Sequence, residues 1–188
     1  MVDVAVRSSQ RLRRLIRSLL DINRLEAGHT LQNQSFSSMS RLIDDAEQSL
    51  KASAERRNVR LARKLPVFIP DIYIDSDMIR RVIINLLDNA LKYSSDGHLI
   101  TVEVHEDADT DSLVLSIQDQ GPGIPGEFRE VIFDKFRRIT DGSGRKGVGL
   151  GLAFCRLAVE AHGGTIWVDQ PGETGTRFNF QLPIMPRR

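Results

Sequence analysis

Two asparagines four residues apart stand out in the strongly apolar stretch of residues 79–93. At 3.6 residues per turn, Asn85, Asn89 and Lys92 fall within about 60° of one another on one side of a helix. The rest of that helix surface is almost entirely apolar, which is typical of a helix packed inside a domain. Amide and ammonium groups can bind polar or charged ligands, so the stripe points either into a site or at solvent. The helix by itself does not decide between these two.

A carboxylate followed by two glycines ends a predicted strand further along the chain, at Asp119-Gln-Gly121-Pro-Gly123-Ile124. Glycines at these spacings let the backbone approach a flat ligand closely. A carboxylate at the bottom of such a slot can accept a hydrogen bond from the exocyclic amine at position 6 of adenine, where guanine carries a carbonyl oxygen instead. An ordinary Asp-Gly turn at the end of a strand explains the same residues, and this motif alone favours that interpretation.

A second glycine-rich motif, Gly147-Val-Gly149-Leu-Gly151-Leu, opens a helix that the pattern predicts over residues 149–161. Unpaired N–H groups and the helix dipole at such a start favour a phosphate. The motif is not the dinucleotide fingerprint, because its third glycine comes one residue early and no strand immediately precedes it. It is not a P-loop either, because no Lys-Ser or Lys-Thr follows. Alone, it is most simply a flexible loop.

Composition places the chain among ordinary globular proteins and excludes several classes. The 188 residues are 40% hydrophobic and 27% charged, with a net charge of +1. This charge gives no bias toward nucleic acid or an anionic membrane. The single cysteine, Cys155, excludes an internal disulfide and fits a reducing compartment. No apolar run is long enough to cross a membrane. We therefore expect a cytoplasmic stretch, and whether its parent protein is anchored in a membrane elsewhere stays open.

The periodicity predicts helices and strands in mixed order, and hence an α+β fold with two layers. A heptad seam that includes Leu12, Leu15, Leu19 and Ile22 predicts an N-terminal, coiled-coil-like helix that self-associates. A second helix follows Ser37 or Ser38, and Asp75 or Ser76 caps the helix that carries the asparagines. The predicted strands lie near Phe36, at 59–61 and 72–74, and over 99–105, 112–118, 164–169 and 176–182.

In this order the motifs resemble the ATP-binding domain of sensor histidine kinases, a branch of the gyrase, heat-shock-protein-90 and MutL-like ATPase superfamily. The pattern is Asn-x-x-x-Asn on a buried helix, Asp-x-Gly-x-Gly-Ile, Phe133-Asp-Lys-Phe136 and Gly-x-Gly-Leu-Gly-Leu. Arg24 to Gly28 resembles the junction between the family's dimerisation hairpin and its ATP domain, and His162-Gly163-Gly164 resembles the turn after its last helix. The resemblance implies a Bergerat-type sandwich of about five strands on three helices. It divides the chain into the second hairpin helix (1–27), a linker (28–34) and the ATP domain (35–188), with a lid at about 125–146.

The resemblance also assigns roles residue by residue. Asn89 would bind Mg²⁺ through its amide oxygen, assisted by Asn85. Asp119 would read the adenine amino group, supported by Thr176, while Gly121, Gly123 and Ile124 shape the base pocket. Arg138 in the lid would stabilise the transferred phosphoryl group, although Arg137, where the family often has tyrosine, could take this role instead. The residues expected near the phosphates are Lys92, Tyr93, Lys146, Gly147, Val148, Gly149, Leu150 and Gly151.

One part of the family pattern is absent from this sequence. The phosphoacceptor histidine of the family lies on the first hairpin helix and is followed by an acid and then a proline. None of the four histidines, His29, His98, His105 and His162, fits that position. The chain is therefore expected to be a fragment that holds the phosphate donor without the acceptor.

The sequence thus predicts a Mg²⁺- and ATP-dependent protein-histidine kinase domain. The γ-phosphoryl group of ATP would be transferred to a histidine on the dimerisation hairpin of its own homodimeric parent, for relay to a response regulator. Because the acceptor is missing, the fragment would act at most in trans. Two alternatives remain open: a serine kinase of the anti-sigma-factor type, and an interaction module that senses ATP without transferring phosphate.

Overall fold

The computed structural model of the protein describes residues 16, 18–27, 31, 33–137, 148–172 and 174–185. The helices are α1 (18–26), α2 (Met39–Arg56), α3 (Ser76–Tyr93) and α4 (Gly151–Ala161). The strands are β1 (Gln34–Ser37), β2 (Arg60–Lys64), β3 (Ile72–Asp75), β4 (Leu99–Asp107), β5 (Ser112–Asp119), β6 (Thr165–Asp169) and β7 (Thr176–Pro183). Two short 3-10 turns lie at Gly126–Phe128 and Val131–Phe133.

The main sheet is mixed and has five strands in the order β2-β4-β5-β7-β6. Only β2 and β4 run parallel, and the other neighbours are antiparallel. The two remaining strands, β1 and β3, form a separate antiparallel pair. Helices α2, α3 and α4 supply the second layer, with α3 between the other two and packed against β5. The predicted two-layer sandwich of five strands and three helices is confirmed.

Helix α3 begins at a side-chain cap and buries most of its surface. The Oδ1 atom of Asp75 accepts a hydrogen bond from the backbone N–H of Met78 at 3.1 Å, which satisfies one of the unpaired donors of the first turn. Seven apolar residues of α3 are buried: Ile79, Val82, Ile83, Leu86, Leu87, Ala90 and Leu91. The side that these residues leave uncovered is the polar stripe, so the core fixes the direction in which Asn85 and Asn89 point.

Helix α1 packs against α3 and the main hydrophobic core instead of presenting its whole heptad seam to a partner helix. Ile22 has an exposed fraction of 0% and belongs to the main hydrophobic core, whereas Leu19 is 37% exposed. On α3, the Arg81 guanidinium forms a salt bridge with Asp21 and donates to Ser18 Oγ. The expectation that Ile22 faces a partner helix is therefore wrong. Self-association through the exposed residues of α1 stays a prediction.

Helix α4 begins at Gly151, two residues later than predicted. Gly149 has a φ of +75° and therefore cannot belong to a right-handed helix. Its carbonyl oxygen accepts a hydrogen bond from the backbone N–H of Phe136 at 2.8 Å. Residues 148–150 therefore form a loop before the helix. The hydrogen bond between Phe136 and Gly149 holds this loop in its non-helical conformation.

Candidate nucleotide-binding site

The carboxylate of Asp119 lies at the end of β5 and is buried, with 3% of the residue exposed. Its Oδ1 atom accepts two backbone hydrogen bonds, from the N–H of Gly121 at 2.8 Å and from that of Thr176 at 3.2 Å. Burial raises the pKa of this carboxyl group, and the two N–H donors and the charge of His98 act in the opposite direction. Among the described residues, none donates to Oδ2. The second oxygen is therefore open to a donor from a ligand.

The glycines beside Asp119 are required by close backbone contacts. A Cβ atom on Gly121 would lie 2.9 Å from Asp119 Oδ1 and 2.9 Å from the Tyr93 carbonyl oxygen. Gly175, with a φ of +92°, donates its N–H to the Gly121 carbonyl at 2.8 Å. A Cβ on Gly175 would lie 2.5 Å from the Asp119 carbonyl oxygen. The backbone of three segments thus closes around the carboxylate with no room for side chains.

The polar stripe of α3 connects this carboxylate end to the start of α4. The side chain of Asn85 lies against Gly151, since a Cβ there would be 3.8 Å from its Oδ1, and Asn85 Nδ2 is 3.5 Å from the Gly151 carbonyl oxygen. Asn89 is half-buried, and its side-chain amide forms no hydrogen bond within the described ranges. Lys92 places its Nζ atom 5.5 Å from the centre of the Tyr93 ring. At Asn85 the stripe therefore lies against the first residue of α4.

The glycine-rich loop is fixed by its contact with Phe136. Both Phe136 (φ +62°) and Gly149 (φ +75°) adopt left-handed backbone conformations, and they are joined by the N–H···O bond described above. A Cβ on Gly149 would lie 2.7 Å from the carbonyl oxygen of Arg137. The loop that leads into α4 and the described end of the predicted lid thus meet at one point. Leu150 follows this point and is buried.

The described part of the predicted lid, residues 125–137, is anchored on two sides. Arg129 donates to the Ile124 carbonyl at 3.1 Å and to Gln170 Oε1 at 2.9 Å. Further along, Arg156 on α4 lies 4.7 Å above the Phe133 ring. Lys135 forms a salt bridge of 2.5 Å with Glu26 on α1. The beginning of this segment is thus attached to α4 and α1.

Several of the residues predicted to form the site come together in two groups, and some of the predictions cannot be compared with the structure. Asp119, Gly121, Gly123, Ile124 and Thr176 gather at the end of β5, and Asn85 meets Gly151. Tyr93 was expected near the phosphates, but its backbone lies beside Gly121, at the carboxylate end. Three predicted residues, Arg138, Lys146 and Gly147, lie outside the described residues.

Sequence reasoning missed three contributors to the site. Gly175 belongs to a glycine motif, Gly172-Glu-Thr-Gly175, whose role became clear only from its contacts with Gly121 and Asp119. Phe136 adopts a left-handed backbone conformation that no sequence pattern predicted. His98, just before β4, acts on the charge of Asp119.

The donor set around Asn89 fits Mg²⁺ better than a transition metal. Within the described part of the chain, no cluster of three or more His, Cys, Asp or Glu residues could hold a metal ion. Mg²⁺ prefers oxygen donors and retains several waters, so it needs only one or two ligands from the protein together with phosphate oxygens. An amide oxygen on a half-buried helix face satisfies that requirement.

Comparison with known proteins agrees with this geometry. Residues 74–186 match the family described as histidine kinase-, DNA gyrase B- and HSP90-like ATPases. This chain belongs to that family and is an ATP-binding domain of the histidine kinase branch. A curated relative is the adaptive-response sensory kinase SasA of Crocosphaera subtropica, which is 34% identical over 173 residues, covering 92% of this chain and 45% of the relative. The chain thus spans less than half the length of that relative.

Two solved structures of histidine kinases share the fold. Full-length ShkA in complex with AMPPNP superposes with a TM-score of 0.85 and 25% identity, over 98% of this chain and 38% of that chain. Histidine kinase ThkA in complex with the response regulator TrrA gives a TM-score of 0.75 and 24% identity, over 95% of this chain and 49% of that chain. No helix among the described residues is both long and apolar enough to span a membrane.

Proposed function

We propose that this chain is the catalytic, ATP-binding part of a cytoplasmic two-component sensor kinase. It would bind Mg·ATP and pass the γ-phosphoryl group to a histidine on the dimerisation hairpin of its parent protein, for relay to the receiver domain of a response regulator. The observation that carries the proposal is the contact between Asn85 and Gly151. It joins the amide stripe of α3 to a glycine-rich helix start. A helix start of this kind suits a phosphate, and amide oxygens beside it suit a magnesium ion bound to that phosphate.

The two ends of the site have different proposed roles, base recognition at one end and phosphate binding at the other. Asp119 would accept a hydrogen bond from the adenine amino group through Oδ2, while Gly121 and Gly123, with Ile124 and the Thr176 backbone, shape the base slot. At the other end, Lys92 and the loop of residues 146–151 would bind the phosphates. Bound Mg²⁺ would neutralise charge on these phosphates, and Asn89 and Asn85 would hold it.

In the reaction itself, a histidine ring nitrogen forms a bond to the γ-phosphorus while the bond from this phosphorus to the β–γ bridging oxygen breaks, and ADP leaves. An arginine near the transferred group would stabilise its charge. Arg138 and Arg137 are the two arginines proposed for this role. The structural likeness to ThkA in complex with a response regulator supports a regulator as the downstream partner.

Transfer of label from ATP tests the proposal against its two rivals. The chain is incubated with γ-labelled ATP and a separately supplied hairpin that carries the acceptor histidine. Acid-labile label on the hairpin is expected, because phosphohistidine is hydrolysed in acid and phosphoserine is not. Acid-stable label would instead indicate a serine kinase. ATP binding without any label would indicate an ATP-sensing module.

A further inference from the structure

Arg129 joins the glycine-rich segment after β5 to the turn between β6 and β7. Its Nε atom donates to the Ile124 carbonyl at 3.1 Å, and its Nη2 atom donates to Gln170 Oε1 at 2.9 Å. The short 3-10 turn Gly126–Phe128 lies between Ile124 and Arg129, and the Arg129 N–H closes it by donating to the Gly126 carbonyl at 3.2 Å. A guanidinium group is planar and rigid, so its two hydrogen bonds fix the two segments relative to each other.

The turn that carries Gln170 is itself held in place. The two carboxylate oxygens of Asp169, at the end of β6, accept from Arg177 on β7 at 2.9 and 3.1 Å. Gly123 approaches the same turn, since a Cβ atom there would lie 3.2 Å from the Gly175 carbonyl oxygen and 3.5 Å from Gln170 Nε2. The segment after β5 therefore rests against a fixed turn, and the side chains of Arg129 and Gln170 bridge the two.

The proposed wall of the base slot, Gly123 and Ile124, is not held by backbone hydrogen bonds. Residues 121–125 lie outside the helices and strands. Among the described residues, no backbone group pairs with the N–H or the carbonyl of Gly123 or Ile124. The Ile124 carbonyl is bound by the Arg129 side chain instead, while the Ile124 side chain packs against the edge of the core. The position of the wall thus depends on a side chain that belongs to the first part of the predicted lid.

We propose that Arg129 is a positioning residue of the base site: bridged to Gln170, it holds the Gly123–Ile124 wall against the β6–β7 turn and so sets the width of the slot for the adenine ring. This inference rests on the proposed base site at Asp119. Arg129 acts through the Ile124 carbonyl and Gln170, at the end of the site that is remote from the proposed phosphate-binding loop. Loss of the bridge should therefore weaken the binding of every adenine nucleotide by a similar factor.

A double-substitution cycle, measured by calorimetric titration with ATP, tests the bridge. Arg129→Met and Gln170→Met retain unbranched side chains but remove the donors and the acceptor. Each should weaken ATP binding by roughly fivefold to tenfold, the effect of about one lost hydrogen bond. The double variant should bind within about twofold of the weaker single variant, because the second substitution finds no bridge to remove. Losses that multiply in the double variant, or wild-type affinity in either single variant, would overturn the inference.

Titration with ADP distinguishes a displaced base slot from a loosened lid over the phosphates. In Arg129→Met the affinities for ATP and ADP should fall by the same factor, within about twofold. A loss confined to ATP would place the effect at the γ-phosphate and would also overturn the inference. Arg56→Met is the matched control, since its guanidinium donates to Ser53 Oγ on α2, a helix that contributes nothing to the proposed slot. Its affinities for both nucleotides should equal those of the wild type.

The wild-type chain and the Asp119→Asn variant separate this inference from the proposed function. If the wild type binds no ATP, or if Asp119→Asn binds it normally, the proposed base site fails. If both behave as proposed while Arg129→Met and Gln170→Met bind ATP like the wild type, only the inference about Arg129 fails. Because Gln170→Met breaks the same bridge from the other segment, the test does not depend on the folding of Arg129→Met alone.

Discussion

The imidazole of His162 accepts a hydrogen bond from the backbone N–H of Asp75 at 3.0 Å, 87 residues earlier in the chain. Its other ring nitrogen, Nδ1, donates to the Ala158 carbonyl at 2.6 Å. The ring therefore joins the C-terminus of α4 to the N-cap of α3, the helix that carries the amide stripe. This geometry requires a neutral imidazole with its proton on Nδ1.

Stability is accordingly expected to fall on mild acidification. Burial lowers the pKa of His162 in the folded state below the value of about 6.5 that is usual in an unfolded chain. The unfolded chain then binds the proton first, so the contribution of His162 is complete above about pH 6.5 and is lost as the pH falls below that value. Urea unfolding at several pH values should give a free energy that declines by at most about 1.4 kcal/mol per pH unit from this group.

His162→Asn provides the comparison, because it removes the titrating group while retaining a polar side chain. The variant should have a lower free energy of unfolding than the wild type near neutral pH. As the pH falls further, its free energy of unfolding should decrease less steeply than that of the wild type. Parallel profiles for the two proteins would mean that other groups cause the acid sensitivity.

Docking of α1 is expected to depend on Ile22. The side chain is completely buried against the ATP domain, so truncation to alanine should destabilise the folded chain by about 2–4 kcal/mol through lost burial and a residual cavity. Leu20→Ala is the matched control on the same helix, since Leu20 is 54% exposed and its truncation should cost less than about 0.5 kcal/mol. Hydrogen exchange of residues 18–26 measures the docking of α1 in each variant, and thermal unfolding measures the stability of each variant. Similar protection in the two variants would show that α1 is held by other contacts.

The sequence sufficed for the architecture and for much of the site because both depend on local patterns. The apolar periodicity of residues 79–91 predicts a buried helix, and a buried helix with a narrow polar stripe has only one uncovered side. The Asp119 motif likewise specifies a strand end with a close backbone approach. In each case the information lies within about ten consecutive residues.

The features that escaped prediction depend on contacts between distant segments. Ile22 fits a heptad seam equally well whether it faces a partner helix or the ATP domain. Its burial in the main core and the salt bridge between Asp21 and Arg81 decide for the domain. The delayed start of α4 follows from the Phe136 bond to Gly149, across the segment that contains the predicted lid.

Magnesium-dependent nucleotide binding is expected to require Asn89. In Asn89→Ala the amide oxygen that would hold the ion is gone, while the helix gains propensity, so the fold should survive. Calorimetry with ATP in the presence of Mg²⁺ should show at least a tenfold loss of affinity, about 1.4 kcal/mol. Asp77→Ala, at the exposed start of the same helix, should bind normally. Unchanged affinity in Asn89→Ala would remove the basis for placing the metal on α3.

Selectivity for adenine is expected to require the Asp119 carboxylate. Since Oδ1 accepts from two backbone N–H groups, the asparagine in Asp119→Asn must keep its oxygen there and turn its amino group toward the base. Two donors would then face each other, so ATP affinity should fall by more than about tenfold. Inosine triphosphate lacks the amino group, and its weaker binding should change little. A calorimetric titration in which both nucleotides lose affinity equally would point to a structural role for the carboxylate.

The base slot is expected to reject even a methyl group at position 121. The Cβ of Gly121→Ala would press against the Asp119 carboxylate and the Tyr93 carbonyl, both at 2.9 Å, so either β5 or the end of α3 must shift. Because this shift displaces the base-reading oxygen, ATP affinity should fall by roughly tenfold or more, with a moderate loss of thermal stability. Gly126→Ala is the matched control, since a Cβ there meets no atom within 4 Å. Normal ATP binding by Gly121→Ala, measured beside this control, would contradict a base site closed by the backbone of three segments.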